Sequence, residues 1–222
     1  LVEQHKKNYT SCSHPRDFPV DLEIIEPLVA HYETQIGSFV YEVDPNGMKN
    51  TFDLTAPLEF HRLADARVSL EQAMANLGVI VWSLRDHHSS EDLELLASQK
   101  AEYATWLQRW EAAFTILLAQ EGSQYNQETL DGCRLLKAHH LAMSTLADVD
   151  YTLGEMGWAA FTPPYRTIVD LISTIVDNLP KRGLAAHAPQ LPYLSSTMGM
   201  TEPLYCVATR CTDPAIAEKA RT

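Results

Sequence analysis

Leu93, Leu96, Tyr103, Leu107, Trp110, Phe114 and Leu117 fall on one heptad seam, interrupted only at Lys100. Steps of three and four place such residues on a single face of a helix; a strand, with its period of two, would scatter them over both faces. Ser90 stands where an N-cap belongs, Glu91, Asp92 and Glu94 follow against the positive end of the dipole, and Gly122 supplies a stop. The pattern therefore predicts a long helix from 90 to about 121. Such a helix must bury its seam against others, so the rest of the chain is read for partners.

Partners are plentiful. Leu63, Ala66, Leu70, Ala73, Leu77, Ile80 and Leu84 make one stripe on a helix over about 61–87, ended by His87-His88-Ser89-Ser90. Asn126 can cap a helix running to about Leu153, with Leu130, Leu136, His140, Met143 and Ala147 on one side. Thr162-Pro163 opens another over about 163–179, whose set of Ile168, Leu171, Ile172, Ile175, Val176 and Leu179 is broad enough to be buried on more than one side. After Gly199 a short helix is expected over 201–209, and Asp213-Pro214 starts one more. Towards the N-terminus, Leu28, Tyr32, Ile36 and Phe39 give a helix within 22–41, followed by the turn Asp44-Pro-Asn-Gly47. Residues 180–197 hold three prolines and little periodicity, and read as an internal connector. Only Phe39-Val-Tyr-Glu-Val43 alternates like a strand. The expected fold is all-α, an array or bundle of long antiparallel helices forming one domain over 1–222.

Charge and cysteines narrow the function. A net charge of −12 repels a phosphate backbone, and Lys6-Lys7 and Lys181-Arg182 are too small for a binding stripe, so no nucleic-acid partner is expected. The longest apolar run, Leu77 to Trp82, is far short of a membrane span, and no membrane partner is expected. Cys12, Cys133, Cys206 and Cys211 show no finger spacing and read as reduced thiols in or near a core of a soluble intracellular chain. The sequon at Asn8 is a pattern common by chance. Leu1 at the start and Glu-Lys-Ala-Arg-Thr222 at the end read as a piece of something longer.

No chemistry-bearing motif stands out. His139 and His140 are adjacent on a predicted helix, point about 100° apart, and cannot easily share an ion; no metal ligand and no cofactor are assigned. There is no nucleophile elbow and no Gly-rich phosphate loop, and no catalytic residue is assigned. Tyr103, Trp106, Trp110 and Phe114 read first as core, and second as the lining of an apolar site.

Several segments then carry a resemblance. Phe60-His-Arg-Leu-Ala-Asp-Ala-Arg67-Val-Ser-Leu70-Glu resembles the F-x-S-L-x-E-A-R-x-S-L segment in the regulatory region of fungal zinc-cluster (Zn2Cys6) transcription factors. Trp106-Leu-Gln-Arg-Trp110-Glu-Ala-Ala-Phe114 is similar to that family's L-x-x-W-x-x-A-F helix, and Leu135 to His140 to its L-x-x-x-H/Y helix. Phe161-Thr-Pro-Pro-Tyr165-Arg-Thr-Ile168-Val-Asp-Leu171 resembles F-x-P-x-F-x-x-I-V-x-L. Met198 to Pro214 is similar to G-I-I-P-P-L-Y-x-V-A-T-x-C-R-D-P, although the following Ile-Arg-Arg is here Ile216-Ala-Glu218. Order and spacing agree over about 60–222, and 1–59 match only loosely. The six-cysteine zinc cluster is absent, so neither DNA binding nor zinc is carried over.

The resemblance implies a nuclear regulatory region that senses a signal or binds protein partners of a transcription complex, with a small apolar ligand as one form of signal and a homodimer as one form of assembly. The ligand form would place Met198, Gly199 and Met200, with Leu204 and Tyr205, as one wall of an apolar pocket and Trp110 and Phe114 on the opposite one. Other readings are a free-standing ligand- or partner-binding protein, and an enzyme of secondary metabolism derived from the same fold.

Overall fold

A computed structural model of the chain describes residues 52–83, 90–179 and 198–222. Among the described residues there are α-helices, two 3-10 segments and no strand, so the fold is all-α. The order is α1 (Leu63–Ser83), α2 (Ser90–Glu121), a 3-10 turn (Gly122–Gln124), α3 (Gln127–Asp148), a 3-10 segment (Tyr151–Phe161), α4 (Thr162–Asn178), α5 (Thr201–Arg210) and α6 (Pro214–Lys219). The expected helix within 22–41, the turn after it, His87-His88 and the 180–197 connector lie outside the described residues.

Local chemistry accounts for the boundaries. Asp65 accepts from the backbone N–H of Arg62 at 2.9 Å and so satisfies an orphan donor at the start of α1. Asn126 caps α3, its side chain accepting from the N–H of Thr129 at 2.8 Å. Prolines fill the first turns of α4 and α6, and Asp213 accepts from the N–H of Ala215 at 2.9 Å.

One expectation fails. Helix α3 stops at Asp148 and does not reach Leu153. Val149 and Asp150 turn extended, Asp150 accepts from the N–H of Thr152 at 2.9 Å, and a 3-10 segment begins. Gly154 then sits at φ 56°, ψ −135°, which a side chain would resist. The capping aspartate and the glycine outcompete a helical continuation.

Two apolar cores flank α3. The first joins Phe60 and the stripe of α1 (Ala66, Leu70, Ala73, Leu77) to the seam of α2 and to Cys133, Leu136, Met143 and Ala147 of α3. Tyr103, Leu107, Trp110, Phe114 and Leu117 are all buried, so the described part of the seam is spent inside the chain. The second core joins Ala138, Ala142 and Val149 to Trp158, to Tyr165, Ile168, Val169 and Ile172 of α4, and to Val207 and Ile216 of α5 and α6. Helix α4 buries one side only: Val176, expected inside, is 47% exposed.

The interruption at Lys100 has a physical cause. Its side chain is buried, Nζ donates to the carbonyl of Val149 just past the end of α3, and it lies 4.2 Å over the ring of Tyr151. A cation there completes the carbonyl end of a helix and its dipole. Burial pulls the ammonium below its usual pKa, while Asp150 and Asp148 push back.

Candidate functional site

One set of cross-helix contacts centres on Trp110. Its indole stacks on Phe114 (centroids 4.7 Å apart) and on the His140 imidazole (5.1 Å, planes 18° apart), and tilts against Phe60 at 5.8 Å. Its N–H donates to the carbonyl of Ala66 at 3.1 Å and lies 3.0 Å from the Ser69 hydroxyl, so the polar tip of the ring is satisfied on α1. Nearby, Phe52 packs edge-on against Trp106 at 5.2 Å, and Arg109 donates to the carbonyls of Leu54 (2.8 Å) and Ala56. The stretch before α1 is thereby strapped across α2.

Around His140 the aromatic hub becomes ionic. Its Nε2 is 3.0 Å from the carbonyl of Leu107, and its Nδ1 is 3.2 Å from a carboxylate oxygen of Glu111, to which Lys137 is also bonded. Burial holds the imidazole below its ordinary pKa, the Leu107 carbonyl and Glu111 oppose this, and Lys137 reinforces it. One position earlier, His139 Nε2 is 2.7 Å from the carbonyl of Gly199. Adjacent imidazoles thus point to two sides of α3: one grips α2, the other the segment that enters α5.

A second polar set lies in the other core. Tyr165 is fully buried, and although the Thr145 hydroxyl and the Cys206 thiol lie beside its own hydroxyl, no hydrogen bond of good geometry closes there. Burial, with the Cys206 thiol beside it, drives its pKa well above the ordinary phenol value. The Thr145 hydroxyl, which donates to the carbonyl of Ala142 at 2.7 Å, is 4.0 Å from the Cys206 sulfur. Burial pushes both the Cys206 and Cys133 thiols up, which makes them poor nucleophiles.

The residues assigned to an apolar site are divided among these surroundings. Trp110, Phe114 and Met198 share the first core. Met200 and Leu204 pack against the second, and Gly199, between Met198 and Met200, is held through its carbonyl by His139. Tyr205 faces solvent, 68% exposed. Among the described residues no three His, Cys, Asp or Glu side chains are grouped to hold a metal ion, and no helix is long and apolar enough to cross a membrane.

Sequence reasoning singled out Trp110 and the histidine pair but not Glu111 or Lys137 as partners of His140, nor Tyr165 as a buried polar group of the other core. Helical spacing contained a signal for one of these: Lys137 and His140 are three apart, hence neighbours on α3. Nothing in the letters brings Glu111 to them. No protein-family model, curated protein or solved structure gives a significant match to this chain.

Proposed function

We propose that this chain is the helical regulatory region of a transcription regulator resembling the fungal zinc-cluster factors, acting in the nucleus by binding a protein partner and reading no DNA through residues 1–222. One observation carries the reading: the short family-like segments, far apart in sequence, meet one another. Ala66 and Ser69 of the first segment receive the Trp110 N–H of the second, and His140 of the third stacks on that same ring. His139 bonds to Gly199 in the last segment, while Tyr165 of the fourth is buried beside Cys206 of the last. Signatures of one family are expected at the positions where its helices touch.

A protein partner is favoured over a small apolar ligand. Trp110 and Phe114 are consumed by packing, whereas Met156 (76% exposed), Leu153 and Tyr205 present apolar surface on the 3-10 segment and α5. Those two elements are tied by Arg210, which lies 5.0 Å over Trp158 and 3.8 Å from Glu155. Fusing residues 1–222 to an unrelated DNA-binding domain tests the reading. A reporter output several-fold different from that of the DNA-binding domain alone is expected, lost in Trp110→Ala at equal abundance. An unchanged output, together with a parent reading frame lacking a six-cysteine cluster upstream, would overturn it. Native mass spectrometry discriminates the ligand form, because a stoichiometric bound lipid would replace the partner reading with sensing.

A further inference from the structure

We infer that His140 and Glu111 form a proton-binding site that makes the contact between α2 and α3 respond to pH. The tautomer of His140 follows from a neighbour that can only accept: a backbone carbonyl, that of Leu107, lies 3.0 Å from Nε2, so Nε2 carries the hydrogen. In the neutral ring Nδ1 is then a bare lone pair. It is buried, has no hydrogen-bond partner, and faces the Glu111 carboxylate oxygen at 3.2 Å. Two acceptors at that separation repel, and a single proton between them turns the repulsion into a charge-assisted hydrogen bond.

The proton comes from solvent and adds to Nδ1; no other bond breaks, and the site gains one positive charge. Four features decide when it binds. Burial opposes the imidazolium and is the largest influence, the Leu107 carbonyl that accepts from Nε2–H favours it, Lys137 of α3 opposes it through like charge, and Glu111 of α2 favours it. The last two are the charged groups that bear on the ring from the two helices it joins, and the Trp110 face from α2 adds a favourable surface for a cation. The balance lies below the ordinary imidazole value of 6.5. An unfolded chain therefore takes up this proton more readily than the folded one. Stability contributed by the neutral ring is fully present above pH 6.5 and declines as pH falls towards the lower folded value. Acid thus lowers the stability of the folded chain, while the hydrogen bond that the new Nδ1–H donates to Glu111 offsets part of that loss. Because His139 holds Gly199 from the next position on α3, the same helix register also bears on the entry to α5.

Two-bond proton–nitrogen NMR of histidine-labelled protein, titrated from neutral to acidic pH, reads the site directly. At neutral pH His140 should carry its proton on Nε2, and Nδ1 should protonate with a midpoint below 6.5. Glu111→Gln should move that midpoint down by about one pH unit, and Lys137→Met should move it up. Both altered residues are partly exposed, so the variants keep the fold. Shifts in opposite directions are the signature of a proton site. A proton on Nδ1 at neutral pH, or a midpoint that neither substitution moves, would overturn the inference.

Discussion

The two cores that share α3 are built on different terms. In the first, large aromatic rings fill the space and their polar tips reach across helices: the indole N–H of Trp110 reaches α1, Arg109 reaches two carbonyls of the preceding stretch, and His140 leaves one ring nitrogen, Nδ1, unpaired. In the second, smaller helices pack on Ala138 and Ala142, and polar atoms are taken in without full compensation, as the poorly paired Tyr165 hydroxyl shows. The first core is cemented by area and satisfied hydrogen bonds. The second gains close approach between helices but carries groups that cost free energy to bury. A long regular seam secures the first kind of core, and shorter helices are enough to assemble the second.

Breaking the first core should have the largest effect. Trp110→Ala removes a fully buried ring and its hydrogen bonds, and should cost about 3–5 kcal/mol in a reversible denaturant melt. A cost below about 1 kcal/mol would place the ring outside the core. The next effect is local to the 3-10 segment that joins α3 to α4. A Cβ on Gly157 would lie 2.5 Å from the carbonyl oxygen of Asp150 and 3.3 Å from a Val149 methyl. Gly157→Ala should therefore destabilise by about 1–3 kcal/mol, and an unperturbed melt would mean that the segment can move aside freely.

Alkali sharpens the comparison. Tyr165 titrates above the phenol value of 10, so the folded chain keeps a proton that the unfolded chain loses once pH exceeds 10. The stability it contributes is present below that pH and is lost above it, by up to about 1.4 kcal/mol per pH unit. Tyr165→Phe should remove this part of the alkaline loss. At neutral pH the same substitution should be the mildest of all, neutral or stabilising by up to about 1 kcal/mol, because it deletes a buried hydroxyl that makes no hydrogen bond of good geometry with Thr145 or Cys206. A clear loss at neutral pH would show that the hydroxyl is satisfied.

Much of this fold is legible in the letters because its determinants are local. Asn126, Pro163 and Asp213-Pro214 mark helix starts by chemistry that acts over two or three residues, whereas Thr162, expected as a cap, is the first residue of α4 and donates its hydroxyl back to the carbonyl of Ala159. The seam is legible for the same reason, since its period is a property of one helix. Where local signals compete, the reading fails: the apolar letters from Tyr151 continue α3 on paper, while Asp150 and Gly154 end it in space. The site is less legible still. Glu111 lies among ordinary surface positions of α2, and its meeting with His140 depends on how two helices are set side by side. Lys100 appears as a flaw in a pattern until the end of α3 arrives above it.

Helix α3 answers to both cores at once. Cys133, Leu136 and Met143 meet the aromatic side, Ala138 and Ala142 meet α4, and the two histidines point in different directions from adjacent positions. Such a helix has almost no silent positions, because a side chain enlarged for one neighbour intrudes on another. Under drift, changes in α1 or α6 can be absorbed by one set of contacts. Those in α3 require compensations on two sides, and its sequence should be the slowest to diverge.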